Sequence, residues 1–179
     1  MTDDEPLPVL YVITCAAAPA PYLGRLIDLA QADGWRVYVI ATPSAVPFLD
    51  LDEISAKIGA PVFSDYRRPS EAKRQPPADA AVVAPATYNT INKWAAGITD
   101  NYALGTIAEL TGLGLPITVL PFVNDGLAGN RVFARSLDEL RAAGVRVLYG
   151  PGGYGSHPVG AGGPLLDAFP WQLALDALR

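Results

Sequence analysis

Short, unbroken apolar runs alternate along this chain with stretches of helical periodicity, and that alternation limits the fold more than any other feature. The apolar runs occupy 9–14, 35–41, 61–64, 80–84, 116–120 and 145–149. They are rich in Val, Ile and Tyr and lack strict polar alternation, which is how strands read when both faces of a parallel sheet are covered. Helical patterns fill 22–33, 48–58, 89–96, 102–110, 130–143 and 169–178, and Gly34, Gly59 and Gly144 close three of them. The stretches 89–96 and 102–110 read either as one broken helix or as two consecutive ones. The pattern predicts a Rossmann-like α/β fold: a doubly wound, parallel, six-stranded sheet in three α/β/α layers. A chain of 179 residues, half of them apolar, is expected to form one domain over 1–179.

Composition removes several function classes. No apolar run reaches the roughly 18 residues a membrane helix needs. Residues 1–5 are acidic rather than basic, so no secretory signal is expected. A net charge of −5 argues against nucleic-acid binding through phosphate neutralisation. One cysteine, Cys15, precludes an internal disulfide and fits a reducing, cytoplasmic setting. One histidine, His157, leaves too few ligands for a His/Cys zinc site, so no metal is expected.

In this architecture ligands bind where the strands end. The first strand runs into Thr14-Cys15-Ala16-Ala17, whose small residues let a phosphate approach the backbone at a helix start. The second ends on Thr42-Pro43-Ser44, adding two hydroxyls to the same edge. No GxGxxG or GxxxxGK[ST] pattern is present, which removes support for nicotinamide and P-loop readings. After the 80–84 run comes Pro85-Ala86-Thr87-Tyr88-Asn89-Thr90, a turn dense in groups that need partners or cap a helix. Asn124 follows the 116–120 run at the same edge. Two segments break the rhythm. The 66–77 stretch carries Arg67, Arg68, Lys73 and Arg74 against Glu71, and reads as a surface loop. The 150–164 stretch holds seven glycines and reads as a functional lid.

Pro85 to Thr90, with Lys93, Gly97, Asp100 and Asn101 following, resembles the PASANT motif of the flavin-dependent cysteine decarboxylases. Pro121-Phe122-Val123-Asn124 is similar to that family's PxMN motif, and the resemblance covers nearly the whole chain. The family contains phosphopantothenoylcysteine decarboxylases, lantibiotic decarboxylases and salt-tolerance regulatory proteins. The resemblance implies an FMN cofactor bound between subunits of a homotrimer, which in some members assembles further into a dodecamer. It places Thr14, Cys15, Ala16 and Ala17, with Thr42 and Ser44, around the phosphate. Pro85, Ala86, Thr87 and Asn89 would face the flavin, and Asn124 would orient the substrate carboxylate. In the family, FMN oxidises a cysteine thiol and the resulting thioaldehyde loses carbon dioxide.

The chain also departs from the pattern. Family decarboxylases carry a catalytic His shortly before the fourth strand; counting back from Ala78-Asp79, this chain has Glu71 there. The motif PxMNxxMW continues here as Asn124-Asp125-Gly126-Leu127-Ala128, without the second Met and the Trp. A reductive Cys kept by phosphopantothenoylcysteine decarboxylases after the sixth strand is absent, and Gly150 to Pro158, with His157, stands in its place. Glu71 and His157 are therefore the candidates for a base beside Asn124. The expected substrate is a small-molecule or C-terminal peptide thiol carboxylate. The alternative is a non-catalytic FMN protein that regulates by binding a partner. A flavin prenyltransferase is disfavoured, because the first loop lacks the Gly-Ser-Gly pattern expected there.

Overall fold

A computed structural model describes residues 6–72 and 75–179. The expected contributions of residues 1–5, Lys73 and Arg74 lie outside them. Five parallel strands form one sheet: β1 (Val9–Thr14), β2 (Arg36–Ala41), β3 (Ala80–Ala86), β4 (Ile117–Pro121) and β5 (Arg146–Val147). Their spatial order is β2-β1-β3-β4-β5. The chain starts in β1, crosses to β2 on one side, and returns past β1 to β3 on the other. The carboxyl ends of β1 and β3 therefore flank the reversal point, where open α/β sheets form a crevice.

The helices are α1 (Gly24–Ala32), α2 (Leu51–Ile58), α3 (Tyr88–Ala95), α4 (Tyr102–Gly112), α5 (Asp125–Ala128), α6 (Arg131–Ala142) and α7 (Trp171–Asp176). Successive side chains of a strand point to opposite faces, and the two cores divide accordingly. Leu10, Val12, Val37, Val39 and Val82 pack with Leu26, Ile27, Ile54 and Ala174 of α1, α2 and α7. Tyr11, Ile13, Ile40, Val83 and Val119 pack with Ile91, Trp94, Ile107 and Leu137 of α3, α4 and α6. The three α/β/α layers thus follow from the alternation of fully buried strands with amphipathic helices. The 89–110 region resolves into two helices, α3 and α4, with the chain reversing at Gly97 (φ 71°).

The sheet corrects one expectation: among the described residues it has five strands rather than six. The 61–64 run adds only an isolated bridge to β2. Phe63 N donates to Val39 O (3.0 Å) and Ala41 N donates to Phe63 O (2.8 Å). Pro61 has no N–H to extend this ladder, and the chain turns away beyond Ser64 into an exposed loop. The 145–149 run likewise contributes only two residues, because the chain turns back at Gly150–Gly153. Gly153 lies so close to the Leu148 and Tyr149 backbone that a Cβ there would overlap it. No helix among the described residues is long and apolar enough to cross a membrane.

Candidate functional site

An open cleft of about 360 Å³ lies at the carboxyl edge, against the ends of β1, β2 and β3. That is within the size range of small-molecule sites. Ala16 from the β1 turn and Thr42, Pro43 and Ser44 from the β2 turn form one side. Thr87, Asn89 and Thr90 form the other, with Lys93, Asp100 and Asn101 at the end.

Each side has a local cause. Thr87 is extended and caps α3: its Oγ1 accepts from Thr90 N at 3.3 Å. The first-turn amides of a helix have no intrahelical acceptor, so the α3 N-terminus presents donors and a positive partial charge toward the cleft. Ala16 leaves room for a ligand to approach. Cys15 N donates to Pro85 O (3.1 Å) and Thr42 N to Thr14 O (3.0 Å), fastening the three strand ends together. The Ala84–Pro85 peptide is cis. Asn101 caps α4 by accepting from Leu104 N at 3.0 Å. Lys93 and Asp100, brought together by the Gly97 reversal, form an ion pair on the cleft wall.

The sequence-predicted residues separate into three groups. Ala16, Thr42, Ser44, Thr87 and Asn89 line the cleft together. Thr14, Cys15, Ala17, Pro85 and Ala86 are buried around the strand ends that form the cleft floor. Burial pushes the Cys15 thiol up from its ordinary pKa, against smaller opposing hydrogen bonds from Thr90 and Thr87. It is a protonated packing residue rather than an activated nucleophile. Thr14 Oγ1 is buried without a hydrogen-bond partner among the described residues.

Asn124, His157 and Glu71 form the third group, and none of them lines this cleft. Asn124 caps α5, its Oδ1 accepting from Leu127 N at 3.0 Å. The Gly-rich loop pairs with it as a short parallel bridge: His157 N donates to Val123 O (3.3 Å), and Asp125 N donates to His157 O (2.8 Å). Ser156 Oγ adds a bond to Asp125. His157 is only 7% exposed, and its ring lies 4.6 Å from the Phe122 ring. The structure thus joins two of the three, Asn124 and His157, through main chain rather than through a side-chain relay. Glu71 folds onto its own loop, where its Oε2 accepts from Arg68 N (3.1 Å) and its carbonyl from the Arg67 guanidinium (2.7 Å).

Thr90 and Asn101 are cleft residues that no role was assigned to from sequence. Each stands beside or at a helix-capping position, and a Thr or Asn doing that duty looks the same whether or not a cleft lies in front of it. Lys93 and Asp100, like Thr90 and Asn101, belong to the quoted motif. Their meeting depends on a chain reversal whose only local signal is Gly97.

A search of curated proteins finds no match. Among solved structures, TvaF, an FMN-dependent cysteine decarboxylase from thioviridamide biosynthesis, is 24% identical with a TM-score of 0.71. The match covers 97% of this chain and 99% of TvaF. MrsD from Bacillus sp. HIL-Y85/54728 is 18% identical (TM-score 0.68), with 96% of each chain covered. AtHal3, an FMN binding protein, is 24% identical (TM-score 0.66), covering 84% of this chain and 88% of that one. At these identities the likeness establishes the shared fold. The family model described as Flavoprotein matches residues 1–162, so this chain belongs to the flavoprotein family.

Proposed function

We propose that this protein binds FMN in the cleft and uses it to oxidise a cysteine-type thiol carboxylate, with loss of carbon dioxide. The observation that carries the reading is the donor set at the reversal point: the α3 N-terminus, the Thr42 and Ser44 turn, and the small Ala16 facing them. Donors around an uncrowded floor suit an anionic phosphate joined to a planar polar ring. Thr42, Ser44 and Ala16 would hold the phosphate, and Thr87 and Asn89 would face the ring.

Bound FMN would supply the acceptor for the two electrons a thiol carboxylate gives up when its C–S bond becomes C=S; carbon dioxide could then leave with its electron pair passing to the sulfur as an enethiolate. Asn124 is suited to orient that carboxylate: its Oδ1 is engaged by Leu127 N, which points its amide NH2 away from the cap. His157 holds the Asn124 turn through its main chain and keeps water from Phe122 through its ring. Glu71 would serve as a base once its loop releases it from Arg68 N; in the observed geometry it shapes the loop. Assembly as a homotrimer, in which a neighbour completes the site, belongs to the same proposal.

One observation favours the alternative, a regulatory FMN protein without turnover. Among the described residues, the only ionisable side chains lining the cleft are Lys93 and Asp100, and they neutralise each other. Two measurements separate the readings. The purified protein should absorb in the visible and release FMN, identified by mass; a colourless protein that takes up no added FMN contradicts both. Anaerobic addition of cysteine-terminated peptides should then bleach the flavin if the enzyme reading holds. A flavin that no thiol carboxylate bleaches leaves the regulatory reading.

A further inference from the structure

A larger cavity, about 460 Å³, lies apart from the cleft, on the sheet face that α4 covers. Tyr11 of β1 and Phe63 form its buried floor, and Leu110 of α4 forms part of its wall. Tyr66 forms its lip, 60% exposed, with its ring packed edge-on to Tyr102 at 5.3 Å. The Tyr66 hydroxyl reaches Asn101 O (3.4 Å) across Gly105, where a Cβ would collide with it. The lip is thus seated on α4 by a residue that has no side chain.

Gln75, nine-tenths buried, sits in the lining. Its Oε1 accepts from the Tyr102 hydroxyl at 3.0 Å, but its buried Nε2 has no acceptor among the described residues. A buried donor without a partner is costly, and an occupant that brings an acceptor oxygen removes that cost. The exposed charged lining residues are Asp65, Glu109 and Arg67, two carboxylates against one guanidinium, so the lining carries no excess positive charge to favour an anionic occupant.

We propose that this groove is a second binding site, for a neutral planar aromatic ligand carrying a carbonyl oxygen. The ring would pack among Phe63, Tyr66 and Tyr102, and the carbonyl would accept from Gln75 Nε2. The inference does not depend on FMN occupying the cleft.

Benzamide is the probe, titrated into the purified full chain while backbone amide NMR signals are followed, with benzoate as the charged control. Benzamide should shift signals around Phe63, Tyr66 and Tyr102 and leave those of Thr42 and Asn89 in place. Gln75→Leu should weaken it roughly three- to tenfold, as the loss of one hydrogen bond does. Tyr66→Ala, at a side chain 60% exposed, should weaken it as well. Benzoate should bind more weakly than benzamide. The proposal is overturned if benzamide leaves the groove signals unmoved, or if both variants bind it as the parent does. It is also overturned if a second copy of the chain covers Tyr66 and Leu113 in solution and excludes the probe.

Discussion

The turns after β3 and β4 are built alike and end differently. Each follows a fully buried parallel strand, and each begins a helix with a side-chain cap, Thr87 in one and Asn124 in the other. The β3 turn opens onto the cleft. The β4 turn lines no part of that cleft and is instead bridged by main chain that arrives more than thirty residues later, with His157 paired to Asn124 and buried on Phe122. Capping grammar therefore locates the carboxyl edge, but a remote segment decides which of its turns stands alone and which is braced.

The largest effect should come from filling the open turn. Ala16→Phe places a ring in the cleft, and FMN binding should weaken by ~100-fold or more, a loss of about 2.7 kcal/mol. Flavin fluorescence titration checks it, with thermal melting showing that the half-buried position tolerates the ring. The bridged turn is disturbed instead by His157→Ala, which removes a buried ring. Stability should fall by roughly 1–3 kcal/mol in denaturant melts. Amide exchange should rise across Gly150 to Gly162 while FMN affinity holds; a fall in affinity as large as that from Ala16→Phe would erase the distinction between the turns.

Asn89→Asp sharpens the comparison from the open side. A carboxylate in the first turn of α3 favours the helix but opposes an anionic ligand, so FMN should bind about tenfold more weakly at unchanged or slightly higher Tm. The smallest effect concerns the floor between the turns. Folding raises the Cys15 pKa above that of the unfolded thiol, because burial disfavours the thiolate. The contribution of that burial is full below the unfolded thiol's pKa and is lost as pH rises through it toward the folded value. Cys15→Ala should therefore lose less stability than the parent as pH rises above the ordinary thiol value of about 8.5. Equal losses would place the thiol in contact with solvent.

Much of this was legible in the residues. Buried apolar runs marked all five strands, β5 as a longer run than the two residues that pair, and helix-stop glycines marked the ends of α1, α2 and α6. The cleft-lining Ala16, Thr42, Ser44, Thr87 and Asn89 were readable because parallel strands deliver their following turns to one edge. Three features were not readable. Whether the Phe63 run makes a strand depends on how many residues reach β2, and apolar content does not report that. The burial of His157 depends on Phe122, more than thirty positions away. The Lys93–Asp100 pair depends on the direction in which the chain leaves Gly97. All three are set by tertiary contacts rather than by local pattern.

The most direct test of the central claim is an FMN titration of the isotope-labelled protein, stripped of flavin and followed by backbone amide NMR. Binding in the cleft predicts that shifts concentrate at Ala16, at Thr42 to Ser44 and at Tyr88 to Thr90, saturating at one FMN per chain. Saturable shifts centred instead on Asn124 and His157, or on the groove at Tyr66, would contradict it.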